Sequence, residues 1–164
     1  MQVDLTTAFD SLAKRCREEL FGQTPVEFRF RPFADWSKNE TAKNKALLSK
    51  VVKGKVNIYS LWTRDPGQKD WVPQYVGERK SGNCRQRLRE HLFKKSGKVN
   101  SKLNEVKEAV RAGKSIGVTA IQVLPDELRT SVEQRLISLE GQQADGLQWN
   151  IHANRGKKKS THGT

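Results

Sequence analysis

Arg87 and His91 form the pair of side chains with the clearest chemical potential in this sequence. They lie four residues apart in CRQRLREHL, a spacing that places both on one face of a helix. Phosphodiester cleavage develops negative charge on phosphate oxygens, and a planar, permanently charged guanidinium suits the stabilisation of that charge. Arg85 and Arg89 are alternative phosphate contacts, although solvated surface charges are the simpler interpretation of both. The pair is therefore a candidate for chemistry on a phosphate ester.

Tyr59 and Tyr75 are the only two tyrosines in the chain, and each lies in a segment rich in β-forming residues, VNIYSLW and WVPQYVG. Strand tyrosines commonly fill protein cores. A phenol can also accept a proton from water, provided that neighbouring cations lower its ordinary pKa of about 10. Lys80 follows the second segment closely and is a candidate for such a cation, with a solvated loop lysine as an equally good interpretation.

Other chemistries find little support in the residue types. The three histidines are scattered and the two cysteines, Cys16 and Cys84, are isolated, so neither a zinc site nor a disulfide scaffold is indicated. The sequence contains no Gly-rich phosphate loop of the nucleotide-binding kind. Nothing points to a Ser-His-Asp arrangement.

The charge of the chain indicates a polyanionic partner. A net charge of +13 and a pI near 10.0 come from 31 Lys and Arg against 18 Asp and Glu. This excess favours nucleic acid, with a solubilising basic surface or a ribosome or lipid contact as alternatives. No apolar run is long enough for a membrane span, and the N-terminal residues lack the features of a signal peptide. We therefore expect a cytoplasmic protein without a membrane partner.

Hydrophobic periodicity predicts the elements that must position these side chains. Helices are predicted at about 4–20, 83–95, 101–112 and from 126 onward, with a weaker helical stripe at 42–51. Strands are predicted at 26–31, 56–62, 71–77 and 116–124. A Pro-Gly turn signal between the second and third of these strands predicts a β-hairpin. This mixture of strands and helices is typical of the α+β class.

Five short pieces, in order along about residues 55–152, resemble the motifs of the GIY-YIG nuclease family. Asn57-Ile58-Tyr59 and Tyr75-Val76-Gly77 are similar to the two half-motifs that name the family, and CRQRLREHL is similar to its first helix. VEQRLI resembles the stretch that holds the family's metal-binding glutamate, here Glu133. LQWN resembles the closing aromatic-Asn element, with Asn150 as the matching asparagine and Asn154 as the alternative.

Three features depart from the family pattern. Asn57 stands where the family has its first glycine. The loop after Gly77 is about two residues longer than in compact members, which leaves Arg85 as an alternative to Arg87 for the catalytic arginine. The spacing from Glu133 to the aromatic-Asn element is also loose.

The resemblance implies a role for each matching residue. Glu133 would hold Mg²⁺, with Mn²⁺ as a substitute, because Mg²⁺ needs only one or two carboxylates when phosphate and water complete its shell. Tyr59 would receive a proton from the attacking water, and Arg87 would stabilise the pentacovalent state. Tyr75 and His91 would orient the phosphate or assist proton transfer. The implied substrate contacts are Lys80, Arg85, Arg89 and Asn150.

The fold that the resemblance implies is α+β: a small, largely antiparallel three-stranded sheet flanked by helices, behind a helix-strand-helix extension. Residues 1–54 would form this extension, packed on the core and aiding DNA binding through VEFRFR and the 35–52 segment. Residues 55–154 would form the GIY-YIG core, and 155–164 a basic, disordered tail.

The function that the resemblance implies is that of a metal-dependent endonuclease acting on DNA. A compact chain without a separate DNA-binding domain favours site-specific, double-strand cleavage of the restriction type. Structure-selective, mobile-element or toxin nucleases of the same family are alternatives, as is a non-catalytic nucleic-acid-binding module. Double-stranded DNA is the expected partner, and a homodimer on DNA is one assembly to test.

Overall fold

The computed structural model describes residues 1–95, 97, 100–140 and 146–150, which form an α+β fold. The strands are β1 (Val26–Phe28), β2 (Ile58–Arg64), β3 (Val72–Glu78) and β4 (Ser115–Ile121). The helices are α1 (Thr6–Phe21), α2 (Ala42–Val51), α3 (Cys84–Leu92), α4 (Leu103–Arg111) and α5 (Arg129–Glu140). Short 3₁₀ turns, Trp36–Asn39 and Asp126–Leu128, precede α2 and α5.

The four strands form one antiparallel sheet in the order β1-β4-β2-β3. This confirms the α+β class, but the prediction of three strands is wrong. β1 pairs with β4, with Val26 opposite Val118 and Phe28 opposite Ile116. Strand β1, which belongs to the predicted N-terminal extension, therefore forms one edge of the sheet. Its Val26 and Phe28 side chains lie opposite apolar residues of β4 there.

The central strand β2 is buried on both sides, because helices cover both faces of the sheet. On one face, Tyr59 and Leu61 pack with Leu88 and Leu92 of α3 and with apolar residues of α2 and α4. On the other face, Ile58 belongs to a second cluster, to which α1 contributes Leu20 and α5 contributes Val132 and Leu136. The alternation along β2 therefore directs Tyr59 toward α3.

Residues 1–54 contribute to every layer of this arrangement. Helix α1 packs on β4 and α5, while α2 packs on β1, β4 and α3. The predicted tail, 155–164, and Asn154 lie outside the described residues. Among the helices that the structure describes, none has the length and apolar character to cross a membrane.

Candidate active site

Tyr59 lies at the centre of the predicted site, on β2 where it pairs with β3. Its side chain is only 1% exposed, and its register partner across the sheet is Gly77. A Cβ atom at Gly77 would fall 2.5 Å from the Tyr59 hydroxyl oxygen and 2.8 Å from Cε1 of Tyr75. The glycine of the second half-motif is thus required because the two tyrosine rings occupy the space of a side chain.

We predict that Gly77→Ala destabilises the protein through this clash. Overpacking of a buried contact costs about 1–3 kcal/mol, which lowers the melting temperature of a domain of this size by about 3–10 °C. The control is the same substitution in a Tyr59→Leu background, where the two closest atoms, the hydroxyl oxygen and the ring carbon Cζ of Tyr59, are both absent and the loss is expected to be smaller. An equal loss in both backgrounds, measured by thermal melting, would contradict the explanation.

His91 joins Tyr59 to the segment after α3. The Tyr59 hydroxyl and His91 Nε2 lie 2.8 Å apart, and the backbone N–H of Lys102 donates to His91 Nδ1 at 2.9 Å. Burial lowers the pKa of His91 well below 6.5, and the charges of Arg87 and Lys102 lower it further, so the imidazole is neutral. Because Nδ1 accepts a hydrogen bond, the single ring proton is on Nε2, which donates to the Tyr59 hydroxyl.

Arg87 and Tyr75 complete a cluster of four predicted residues. The Tyr75 ring centroid lies 5.3 Å from that of His91 and 6.3 Å from that of Tyr59. Arg87 donates to the Glu90 carboxylate at 3.1 Å and to the Asn100 carbonyl oxygen, which fixes its guanidinium beside the rings. The Arg87 charge acts on both tyrosines. Strands β2 and β3 and helix α3 therefore bring the four side chains together.

Both tyrosines are protonated, whereas acceptance of a proton from water requires a phenolate. Burial raises the pKa of Tyr59 well above 10 and that of Tyr75 above 10, and these effects outweigh the opposing charge of Arg87. The candidate cation Lys80 is exposed and is not among the charges that act on either phenol. Both phenols are therefore neutral at pH 7, and a phenolate would require additional positive charge.

Glu133 extends the cluster from α5, since its charge raises the pKa of Tyr75. Burial raises the pKa of Glu133 from 4.5 to about 7, and the neighbouring Glu78 carboxylate adds to this rise. Glu133 has no ion-pair partner in the described part of the chain, whereas Glu78 accepts a hydrogen bond from Arg129 at 2.8 Å. A half-buried carboxylate that lacks a counter-ion and faces a second carboxylate suits a hard divalent cation.

The Glu133 and Glu78 carboxylates would suit Mg²⁺ better than zinc. No group of three or more His, Cys, Asp and Glu side chains able to hold a metal occurs among the described residues. Mg²⁺ does not require one, because it keeps several waters and binds one or two carboxylates together with substrate phosphate. Glu133 is therefore the residue that fits the predicted ion, with Glu78 beside it.

The other predicted substrate contacts lie in different environments. Arg85 donates to Ser49 Oγ of α2 at 2.9 Å, and Arg89 pairs with Glu40, so both point away from the tyrosines. The arginine that the structure places in the cluster is Arg87. Asn150 clamps β3, because its side-chain oxygen accepts from the Val76 N–H at 2.9 Å and its amide donates to the Val76 carbonyl at 3.1 Å. Asn150 therefore fixes the backbone of β3.

A partly buried polar network that the sequence interpretation missed supports the site. Asn57, in place of the family's first glycine, is fully buried and donates to Asp126 and to the Val123 carbonyl. Asp126 also accepts from the backbone and the hydroxyl of Ser81, and these bonds lower its pKa to about 2. Arg129 bridges Asp126 and Glu78. The network ties the start of β2 to the loop after Gly77 and to α5.

An open cleft of about 420 Å³ adjoins the cluster. Its lining combines cations and amides with two carboxylates: Glu78, Arg79, Lys80, Asn83, Gln86, Arg87, Glu90 and Arg129. Lys80 thus lies on the wall of this cleft rather than against a phenol. A cleft of this composition offers several donors to phosphate oxygens.

Comparisons of the chain with protein-family models, with curated proteins and with solved structures found no significant match.

Proposed function

We propose that the protein is a metal-dependent endonuclease of the GIY-YIG family that hydrolyses phosphodiester bonds of DNA in the cytoplasm. The observation that carries the proposal is the convergence of the five residues singled out by the motifs. Tyr59, Tyr75, Arg87 and His91 form one contact cluster, and Glu133 acts on Tyr75 from α5. The approach of these five residues, which are spread over 75 positions of the sequence, supports the motif match.

The chain's own residues divide the proposed reaction between them. Arg87, held by Glu90 and Asn100, would stabilise the negative charge that develops on the phosphoryl oxygens. Mg²⁺, held by Glu133, would supply Lewis-acid activation when bound. Tyr59 would receive the proton of the attacking water as its phenolate, and the Nε2–H of His91 would stabilise that anion. Because burial keeps the Tyr59 phenol neutral in the protein alone, its ionisation depends on cations that enter with the substrate.

Arg29 and Arg31, on the extended segment after β1, offer an exposed surface for the DNA backbone. The extended segment 28–31 continues beyond β1, and buried Asn44 and Asn39 hold it by side-chain hydrogen bonds to the backbone N–H and C=O groups of Arg29 and Arg31, respectively. The side chains of Arg29 and Arg31 are exposed and form no ion pair within the described residues. Successive side chains of an extended segment point to opposite sides, so Arg29 and Arg31, two positions apart, project from the same side.

We predict that Arg29→Ala/Arg31→Ala weakens binding of a 30-bp duplex and lowers the slope of log K against log salt by about two, since each phosphate contact contributes about 0.9. The single-turnover cleavage rate at saturating protein should not change. Lys14→Ala/Arg15→Ala on α1 removes the same charge and serves as the matched control. Equal slopes in the two double variants, measured by fluorescence anisotropy, would contradict a specific role for Arg29 and Arg31.

Incubation of varied supercoiled plasmids with the protein and Mg²⁺ tests the proposed activity. Discrete linear fragments are expected for site-specific, double-strand cleavage of the restriction type. A smear would retain the nuclease and refute site specificity. Plasmid that is retarded in a gel but stays intact, with Mg²⁺ and with Mn²⁺, would refute catalysis and leave a nucleic-acid-binding module.

A further inference from the structure

Lys102 is a nearly buried cation at the edge of the tyrosine cluster. The residue is 5% exposed, and its ammonium lies 5.4 Å from the centroid of the Tyr75 ring. Its backbone N–H donates to His91 Nδ1, and two residues earlier the Asn100 carbonyl oxygen accepts from Arg87. The segment 100–102 therefore contacts both polar residues that α3 contributes to the site.

Within the described residues, the ammonium of Lys102 has no anionic partner. None of the ion pairs and side-chain hydrogen bonds in the described part of the chain involves it. It is also not among the sealed polar atoms that lack a partner, which are Ser60 Oγ and Arg135 Nε, so its nitrogen reaches solvent. A cation removed from most of its water costs free energy, and such a charge is ordinarily paired.

The neighbouring charges strengthen this imbalance. Arg87, Lys102 and Arg79 all act on His91, and of these Arg87 has the Glu90 carboxylate as a partner. An anion that binds from outside the chain could therefore pair with the Lys102 ammonium beside the half-buried Tyr75. A phosphate is favoured over a carboxylate ligand because the whole chain, at +13, attracts polyanions.

We propose that Lys102 binds a phosphate of the DNA backbone within the active site, next to the phosphate that Arg87 contacts. This proposal rests on the proposed nuclease function for the identity of the ligand. A preorganised anion site requires a cation that is held in place before the anion binds. Lys102 thereby also couples substrate binding to the segment that orients Arg87 and His91.

Lys102→Met tests this role, because methionine keeps the length of the side chain and removes the charge. We expect binding of a 30-bp duplex to weaken about tenfold or more, as loss of a charge-assisted hydrogen bond predicts. The slope of log K against log salt should fall by about one. The melting temperature should not fall, since the Lys102 ammonium forms no ion pair or hydrogen bond within the described part of the chain that the substitution would remove. Lys102→Arg should restore most of the affinity.

Lys107→Met is the matched control, because the Lys107 ammonium also lies over a ring, 5.9 Å from that of Trp36, but outside the cluster. It should leave affinity and slope close to wild type. Lys102→Met with a lower melting temperature and unchanged affinity would overturn the proposal in favour of a structural role. Equal behaviour of both methionine variants would overturn it while the nuclease proposal stands. Wild-type protein that binds without cutting would refute the nuclease, yet the comparison of affinities would still decide the role of Lys102.

Discussion

Tyr59→Phe is expected to lower the single-turnover rate of DNA cleavage by about 10²–10⁴, the usual contribution of a positioned acid or base. The substitution removes one hydroxyl and keeps the ring that fills the space beside Gly77. It also leaves the Nε2–H of His91 without its acceptor, which costs about 1–3 kcal/mol of stability. The protein should therefore melt at a lower temperature, remain folded and bind DNA normally.

The guanidinium of Arg87 provides the comparison that separates the two roles. Arg87→Lys keeps the charge and loses the planar fork, so DNA binding should persist while the cleavage rate falls. Arg85→Lys is its matched control on the same helix, because Arg85 contacts Ser49 and lies away from the tyrosines. Full activity in Tyr59→Phe would reduce Tyr59 to a core residue. Normal cleavage by Arg87→Lys with loss in Arg85→Lys would reverse the assignment of the catalytic arginine.

Much of the fold could be predicted from the sequence because its elements have strong periodic signals. The strict alternation of VEFRF, the Pro-Gly turn and the apolar stripes of α1 and α5 each correspond to an observed element. Strand pairing carries no such local signal. The position of β1 beside β4 depends on contacts between residues about 90 positions apart, such as Val26 and Val118. The sheet was for that reason assigned one strand too few.

The candidate site was predictable where side-chain identity and spacing carry the information. Arg87 and His91, one helical turn apart, were placed on one face by geometry alone. Protonation could not be predicted in this way, since the pKa of Tyr59 depends on burial between two strands and α3. Lys102 carries no motif, and its position over Tyr75 results from the path of the segment after α3. The hydrogen bonds of Asn57 to Val123 and Asp126 could not be predicted either, because they also depend on the path of the folded chain.

Glu133→Gln is expected to abolish cleavage and to leave DNA binding intact. The change removes the carboxylate that fits Mg²⁺ while the cations of the cleft remain. Glu127→Gln is the matched control, because Glu127 is exposed and lies six residues earlier, just before α5. Mg²⁺ binding by titration calorimetry should be lost in the Glu133 variant and kept in the control. Cleavage at a tenth of the wild-type rate would show that Glu133 is not an essential ligand.

The raised pKa of Glu133 gives this variant a second signature that does not depend on activity. Because the folded-state pKa, about 7, exceeds the ordinary value of 4.5, the protonated form favours folding. Its contribution to stability is fully present below pH 4.5 and is lost as the pH rises through about 7. The full difference corresponds to about 3.4 kcal/mol, and partial exposure reduces our expectation to about 1–2 kcal/mol.

Thermal melts of the metal-free protein between pH 5 and pH 8 should reveal this loss. The wild type and Glu127→Gln should lose several degrees relative to Glu133→Gln over that range, because only the glutamine stays neutral there. Added Mg²⁺ should restore the wild type most strongly above pH 7, where the carboxylate is ionised and metal binding no longer competes with a proton. Parallel melting curves for wild type and Glu133→Gln across the range would show that Glu133 is not held in a desolvated, unpaired state. The electrostatic reason for placing a divalent cation beside Glu78 would then disappear.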